Sequence, residues 1–200
     1  MLKDKILDAK LDENSIEEIC FENETITELD VSKTEFRLVQ FNKCRFTACD
    51  FTGVGFYNTT FENCDFSNCI FTNSYWKNAK IIDSKADGSN FNQTVFKEVQ
   101  LDRSSFHYAN CVNTFWENCS INDCNFREAF MSEVKFKKMR LRKVDLTSVD
   151  FFKTSLKGID LSDCTIDGIM VSDTHIELRG AKVNTVQAVG IAQILGVTVI

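Results

Sequence analysis

The sequence predicts an all-β solenoid, a chain that coils around one axis and turns a corner every five residues. A register of non-polar residues steps by five from Ile16 to Ile176. A second register of small residues, among them Cys44, Cys49 and Ala79, lies two positions earlier in many of the same units. Neither the period of about 3.6 residues of an α-helix nor the period of about 2.0 of a flat strand divides five. Only a chain that turns once per unit keeps both registers inside.

Phenylalanine fills much of the non-polar register, which contains 15 of the 18 Phe of the chain. The other positions of each unit are mostly Asp, Asn, Thr, Ser, Lys and Glu, residues that face water or close turns. Ala86 is much smaller than the aromatic residues that precede and follow it by 20 positions, Phe66 and Phe106. We therefore expect a small cavity or a local shift of the backbone around Ala86.

Composition and charge narrow the class of protein. The chain is 44% hydrophobic and 26% charged, with no proline and a net charge of -6. The first residues, MLKDKILDAKLDE, interrupt every apolar stretch with a charge, and no apolar run elsewhere is long enough to cross a membrane. We expect a cytoplasmic protein that has no membrane partner. The negative net charge argues against direct binding to nucleic acid, which needs a basic surface.

The nine cysteines allow two interpretations. The C-x4-C spacing of pairs such as Cys64 and Cys69 could mark a metal site. Seven of the nine, however, lie in the small inward register, five residues apart because the fold repeats every five, and no histidine joins them. We interpret them as buried structural thiols and expect no metal or cofactor. His107 and His175 stand apart in outward positions, and no catalytic motif appears, so we expect no enzymatic activity.

The repeating units CRFTA, CDFTG, CDFSN, VDLTS and IDLSD resemble the signature A(D/N)LXX of the pentapeptide-repeat family. The resemblance covers roughly residues 14–178. It implies a right-handed quadrilateral parallel β-helix with four such units in each of about eight coils. We expect three regions: an N-terminal cap (1–13), the pentapeptide-repeat β-helix (14–180), and a C-terminal helix and strand (181–200).

The C-terminal region predicts a short helix with two apolar faces. Asn184 or Thr185 can cap its start, and Gly196 can end it. One face can cover the last coil, and a two-fold partner can cover the other. The tail resembles the dimerisation module of the Qnr and MfpA branch of the family, which implies a homodimer. The expected interface residues are Val186, Val189, Ile191, Ala192, Ile194, Leu195, Val197 and Val199.

Charge is uneven along the chain. Residues 145–177 carry seven acids and two bases, whereas residues 36–144 have an excess of four bases. The resemblance to Qnr implies a protein that imitates DNA, binds DNA gyrase or topoisomerase IV, and protects the enzyme from quinolones. The acids that would imitate phosphates are Asp145, Asp150, Asp160, Asp163, Asp167, Asp173 and Glu177. The alternative interpretation of these acids is simple solubility.

Two further surfaces keep other functions open. Tyr75, Val95 and Phe115, spaced by 20, should form an outward apolar column. This column is either surface decoration or the contact strip of an interaction scaffold with an unrelated partner. A basic cluster between Lys135 and Lys143 is interpreted as a solvated stretch that balances nearby acids, in preference to a nucleic-acid contact.

Overall fold

The five-residue register forms the interior of a four-sided parallel β-helix. A computed structural model describes all 200 residues. The helices and strands are α1 (Leu2–Asp12), β1 (Ile16–Glu17), β2 (Cys20–Glu22), β3 (Thr25–Thr27), β4 (Glu35–Arg37), β5 (Gln40–Asn42), β6 (Arg45–Thr47), β7 (Gly55–Tyr57), β8 (Thr60–Glu62), β9 (Tyr75–Lys77), β10 (Lys80–Ile82), β11 (Val95–Lys97), β12 (Gln100–Asp102), β13 (Phe115–Glu117), β14 (Ser120–Asn122), β15 (Lys135–Lys137), β16 (Arg140–Arg142), a 3₁₀ turn (Ile176–Leu178) and α2 (Thr185–Ile194).

Each strand stacks directly on the equivalent strand of the next coil, which confirms the predicted fold class. Face 1 is the sheet β1-β4-β7-β9-β11-β13-β15, and face 2 is the sheet β2-β5-β8-β10-β12-β14-β16. Face 3 begins with β3 and β6 and continues through isolated bridges from Arg45 to Thr165. Face 4 consists of bridges from Asp30 to Met170. Every strand pair is parallel and joins residues 20 apart, such as Phe36 and Phe56.

The prediction of about eight coils is slightly too high. The seven strands of face 1 enclose six turns between Ile16 and Phe136, and bridges alone carry faces 3 and 4 further. In the closing segment the paired residues of successive coils lie farther apart in the sequence. Leu156 N–H donates to Glu177 O at 2.9 Å, and Asp160 pairs with Lys182, 22 residues later instead of 20. Since this segment holds two extra residues, Ile176 leaves the interior and is 55% exposed.

Aromatic rings fill the core through Trp116. Phe51 and Phe71 stack with ring centroids 4.7 Å apart, and Phe96 and Trp116 stack at 4.0 Å. The indole N–H of Trp116 donates to the Thr114 hydroxyl at 2.9 Å, and Trp76 is satisfied in the same way by Ser74. The small register therefore both leaves room for the large rings and satisfies their buried polar atoms. Around Ala86 the ladder continues in register, with Ala86 N–H 2.7 Å from Ser105 O.

The corners explain the abundance of asparagine. Asn58, Asn63, Asn68, Asn73 and Asn78 follow one another at five-residue intervals with φ between 51° and 59°. Asparagine enters this left-handed region more readily than most residues, because its short side chain can bond locally. The same position recurs along the rod, so each corner is closed by a residue of the outward, polar part of the unit.

Helices cover both ends of the rod. α1 buries Leu2, Ile6 and Ala9 against the first coil. α2 begins with a capping box between Asn184 and Gln187. Residues 197–200 form no strand, so the predicted C-terminal strand is absent from the single chain. Its partner in such a pairing would have to come from another molecule. Neither helix has the length and the apolar run that crossing a bilayer requires.

The backbone ladder opens after β15 and β16. In the coil before, Asn118 N–H donates to Lys137 O and Asp123 N–H donates to Arg142 O, both at 2.9 Å. No backbone hydrogen bond joins residues 135–143 to residues 155–163. We call this gap between the two segments the open seam. It coincides with a tight turn in which Ile159 N–H bonds to Leu156 O at 3.0 Å, whereas the corners stacked before it lack such a bond.

Candidate functional site

Three of the predicted phosphate-mimicking acids occupy one structural position, directly before an inward residue. The Oδ1 atoms of Asp145, Asp150 and Asp160 accept the backbone N–H two residues later at 3.0, 2.8 and 3.1 Å. Asn90 and Asn110 make the same bond earlier in the chain, at 3.0 and 3.1 Å. The turn therefore needs a side-chain oxygen and not a charge. The carboxylates at this end of the rod add charge that folding does not require.

Local hydrogen bonds lower the pKa of two of these acids, Asp145 and Asp160. The Ser162 hydroxyl and backbone N–H hold the pKa of exposed Asp160 below its ordinary value. Burial by itself would raise the pKa of Asp145, but hydrogen bonds from Thr147 and the Arg127 guanidinium outweigh it and lower the pKa. Both groups therefore carry a full negative charge under physiological conditions.

The acids form a ring around three sides of the rod rather than a single line. Asp160 lies on face 2, Asp145 and Asp167 lie on face 3, and Asp150 lies on face 4, with Asp163 and Asp173 at corners. Arginines of the preceding coil balance the negative charges of two of these acids. Arg127 approaches Asp145 at 3.3 Å, and Arg142 approaches Asp163 at 3.7 Å. The free negative charge therefore comes from Asp150, Asp160, Asp167 and Asp173.

Glu177 does not belong to the acidic surface, contrary to the prediction from sequence. It is buried, and its carboxylate accepts Lys153 N–H and the Ser172 hydroxyl, both at 2.9 Å. Burial by itself would raise the pKa of Glu177, but the hydrogen bonds outweigh burial and lower it. Sequence could not separate it from its neighbours, because the two extra residues of the closing segment turn this position inward. Glu177 anchors the last turn.

The C-terminal tail exposes an apolar surface that the single chain does not cover. Val186 is 81% exposed, and Val189, Leu195, Val197 and Val199 are also exposed. Ile191 and Ile194 pack partly against the last coil, and Ala192 is half-buried. A groove of about 500 Å³ separates Ile166 and Gly168 from α2. One face of the helix thus meets the rod, while the other face and the tail remain open.

The predicted column of Tyr75, Val95 and Phe115 lies on face 1, where strand pairing places the three residues directly above one another. All three are half-buried. Sequence reasoning missed Tyr57, whose ring lies 5.7 Å from that of Tyr75. Tyr57 folds over Gly55, where a Cβ atom would meet its Cε2 at 2.6 Å. A glycine in an outward strand position beside an aromatic residue was the signal for this contact.

Comparison with known proteins identifies the repeat. Residues 100–137 and 131–168 match the family model described as pentapeptide repeats (8 copies). This part of the chain belongs to the pentapeptide-repeat family. Residues 2–91 match the model of the SV2A/B/C luminal domain. Both matches lie on one solenoid, because residues 20 apart pair on faces 3 and 4 through both regions, and on faces 1 and 2 as far as β15 and β16.

A solved structure shares the fold. A trypsin-treated form of QnrB1, a plasmid-mediated fluoroquinolone resistance protein, is 16% identical, with a TM-score of 0.52 over 91% of this chain and 100% of that one. Full-length QnrB1 is also 16% identical, with a TM-score of 0.44 over 92% and 100%. HetL, a pentapeptide-repeat protein involved in heterocyst differentiation regulation from the cyanobacterium Nostoc, is 12% identical, with a TM-score of 0.34 over 90% and 93%. No curated protein sequence matches the chain.

The cysteines of this pentapeptide-repeat protein are free thiols, and all except Cys20 are buried. Burial raises the pKa of Cys111 and of Cys124 to about 12. The Cys119 thiol bonds to Glu117 O at 3.3 Å, one of several such contacts with neighbouring carbonyls. Cys111, Cys119 and Cys124 are therefore protonated at neutral pH and act as small apolar side chains of the interior.

Proposed function

We propose that this chain is a DNA-mimicking pentapeptide-repeat protein that binds a type II topoisomerase, DNA gyrase or topoisomerase IV, and protects it from quinolone-type inhibitors. It acts in the cytoplasm by binding, without turnover. The observation that carries the proposal is the ring of acids around the C-terminal end of a narrow rod. Because folding needs only a side-chain oxygen at Asp150 and Asp160, their charge is available for a basic partner.

The shape of the rod supports the same function. The ladder of parallel strands is continuous from β1 to β15 and from β2 to β16, which makes most of the solenoid stiff, and a stiff rod with an acidic end can enter a groove that is built to grip duplex DNA. The fold is shared with QnrB1, whose name describes it as a fluoroquinolone resistance protein. At 16% identity this likeness concerns the fold, so the charge of this chain's own residues carries the proposal.

Dimerisation would place two acidic ends next to each other. We propose that residues 181–200 form the dimerisation module, in which the groove beside α2 receives the apolar tail of a second copy. The exposed side chains of Val186, Val189 and Leu195 then become buried. Sedimentation equilibrium tests this. Val189→Glu should yield monomers, whereas Met170→Glu, at an exposed apolar residue outside the module, should leave the dimer intact.

A supercoiling assay with ciprofloxacin tests the proposed function. Purified protein should restore gyrase or topoisomerase IV activity in the presence of the drug. Asp150→Asn with Asp160→Asn keeps the turn oxygen and removes two charges, so it should abolish most of the protection. Asp50→Asn with Asp65→Asn is the matched control, because both carboxylates make the same turn bond far from the acidic end. If the first pair protects as well as the unchanged protein, the acids serve solubility.

A second candidate function is an interaction scaffold that uses the Tyr75, Val95 and Phe115 column. The observation that favours it is that cationic side chains lie over the aromatic rings of this surface. Lys97 lies 5.8 Å from the ring of Tyr75, and Arg37 lies 4.5 Å from the ring of Tyr57. Val95→Lys would disrupt such a contact and leave topoisomerase binding unchanged. A loss of topoisomerase binding in this variant would instead assign the column to the first function.

A further inference from the structure

A band of positive charge crosses faces 1 and 2 directly before the acidic ring. We call it the basic band; its members are Lys135, Lys137, Lys138, Arg140, Arg142 and Lys143. Lys137 pairs with Glu117, and Arg142 approaches Asp163 at 3.7 Å. No acidic side chain lies within 4.0 Å of the other four, and all four are exposed. The chain therefore concentrates unpaired cations on β15, β16 and the corners that follow them, although its net charge is negative.

The basic band lines the open seam. On its outer edge the N–H groups of Phe136, Lys138, Leu141 and Lys143 have no acceptor in the protein. The inward residues are also uncovered here. Phe136 and Leu141 are half-buried, whereas Trp116, one coil earlier in the column of Phe136, is buried. Backbone donors, apolar side chains and free cations therefore meet along one line.

At both ends of the open seam, hydrogen bonds join the two coils as they do in the rest of the rod. Val134 N–H donates to the Thr154 hydroxyl and Thr165 N–H donates to Val144 O, both at 2.9 Å. The opening is thus a defined feature, bounded on both sides, and not the frayed end of the rod. A ligand would follow its outer margin along face 1 and face 2.

We propose that the open seam and the basic band bind an acidic peptide segment of a partner protein, which lies extended along each of the two faces and bends at the corner between them. An extended peptide directs alternate side chains to opposite sides. One set can cover Phe136 and Leu141, and the other can place carboxylates beside the unpaired cations. Its backbone can accept bonds from the free N–H groups, as in strand addition to a sheet edge.

The surroundings favour a peptide over a nucleic acid. Asp160 lies directly beyond the seam, and its free charge would repel the continuous phosphate backbone of a nucleic acid more than a peptide whose carboxylates alternate with apolar residues. A phosphate backbone also offers nothing to cover the uncovered apolar side chains. This surface lies on faces 1 and 2, whereas the free acids of the ring lie on faces 2, 3 and 4, so the inference goes beyond the proposed topoisomerase function.

Fluorescence anisotropy tests the inference with the full-length protein. The probe is a labelled peptide of about 12 residues that alternates glutamate and valine, long enough to follow both strands. Lys138→Asn with Arg140→Ser introduces the residues found one coil earlier, Asn118 and Ser120, so the fold should be retained. Since two charge-assisted contacts are lost, affinity should fall by at least about tenfold. Lys77→Asn with Lys80→Ser, on the same two faces three coils away, should change it by less than about twofold.

Hydrogen exchange provides the second readout. Bound peptide should slow exchange at the amides of Lys138, Leu141 and Lys143 and leave those of the preceding coil unchanged. Four results would overturn the proposal. These are no binding at about 100 μM peptide, equal loss in the control variant, equal affinity for a peptide of alternating glutamate and serine, and competition by single-stranded oligonucleotide at equal strength. The last result would assign the basic band to nucleic acid.

Discussion

The part of the rod before Val134 and the part after it are built from the same five-residue unit but differ in their cores, their backbone hydrogen bonds and their surface charge. Before Val134 the core is mostly aromatic and faces 1 and 2 are bonded without a gap. After it, Leu146, Leu156 and Leu161 replace most of the aromatic rings. The backbone ladder of faces 1 and 2 opens, and the last paired residues are 22 instead of 20 positions apart in the sequence. The basic band and the acidic ring both lie in this second part. The difference teaches that the regular part supplies stiffness, whereas the irregular part supplies surfaces for partners.

The largest expected effect distinguishes the cores of the two parts. Trp76→Ala should lower the free energy of unfolding of the whole rod by about 3–5 kcal/mol, because Trp76 stacks between neighbouring coils. Leu161→Ala should loosen only the last turn, since few coils depend on it. Urea unfolding followed by circular dichroism measures the first effect, and hydrogen exchange mapped along the chain measures the second. Equal loss of protection throughout the rod in both variants would show that the two parts unfold as one unit.

The second effect compares equivalent amides of two successive coils. Asn118 N–H and Asp123 N–H are bonded to the next coil, whereas the equivalent N–H groups of Lys138 and Lys143 are free. Exchange at Lys138 and Lys143 should be at least about 100-fold faster. Mass spectrometry with fragmentation resolves these positions. Similar rates at both coils would mean that the seam closes in solution, and the peptide surface would then be lost.

These differences mark how far the sequence could predict the structure. The register predicted the coil, the column of Tyr75, Val95 and Phe115 and the aromatic interior, because side-chain spacing determines them directly. It failed at Ile176 and Glu177. There the non-polar spacing continues by coincidence while two extra residues enter the closing segment. The sequence could not predict the open seam, because Phe136 and Leu141 keep the five-residue register and only their backbone hydrogen bonds to the next coil are missing.

A third effect concerns pH and the closing segment. Hydrogen bonds depress the pKa of folded Glu177 below its ordinary value of 4.5. Its contribution to stability is therefore present above the unfolded pKa and is lost as the pH falls through the folded pKa. Exchange at Leu156 and Gly158, which bond to Glu177 O and Gly180 O, should accelerate in acid while the coils before Val134 stay protected.

Glu177→Gln separates this charge from the other carboxylates of the chain. The variant keeps the shape of the side chain, so at neutral pH the closing segment should lose only about 1–3 kcal/mol. The acceleration in acid should become smaller, because the titrating group is gone. If Leu156 and Gly158 respond to acid as strongly in the variant, another carboxylate holds the last turn.

The smallest effect compares two cysteines of one inward column, Cys124 and Cys164. Burial raises the pKa of both thiols, to about 12 for Cys124, but Cys164 lies in the last part of the rod and is 9% exposed, against 3% for Cys124. Since only the thiolate reacts, native alkylation by iodoacetamide should modify exposed Cys20 first, then Cys164, and Cys124 last. We expect about a tenfold difference in rate between the two buried thiols, measured by peptide mass spectrometry. Because reaction requires local opening, this order reports whether the second part of the rod opens more often than the first. Equal rates would place Cys164 within the rigid part, and the boundary between the two parts would then lie beyond it.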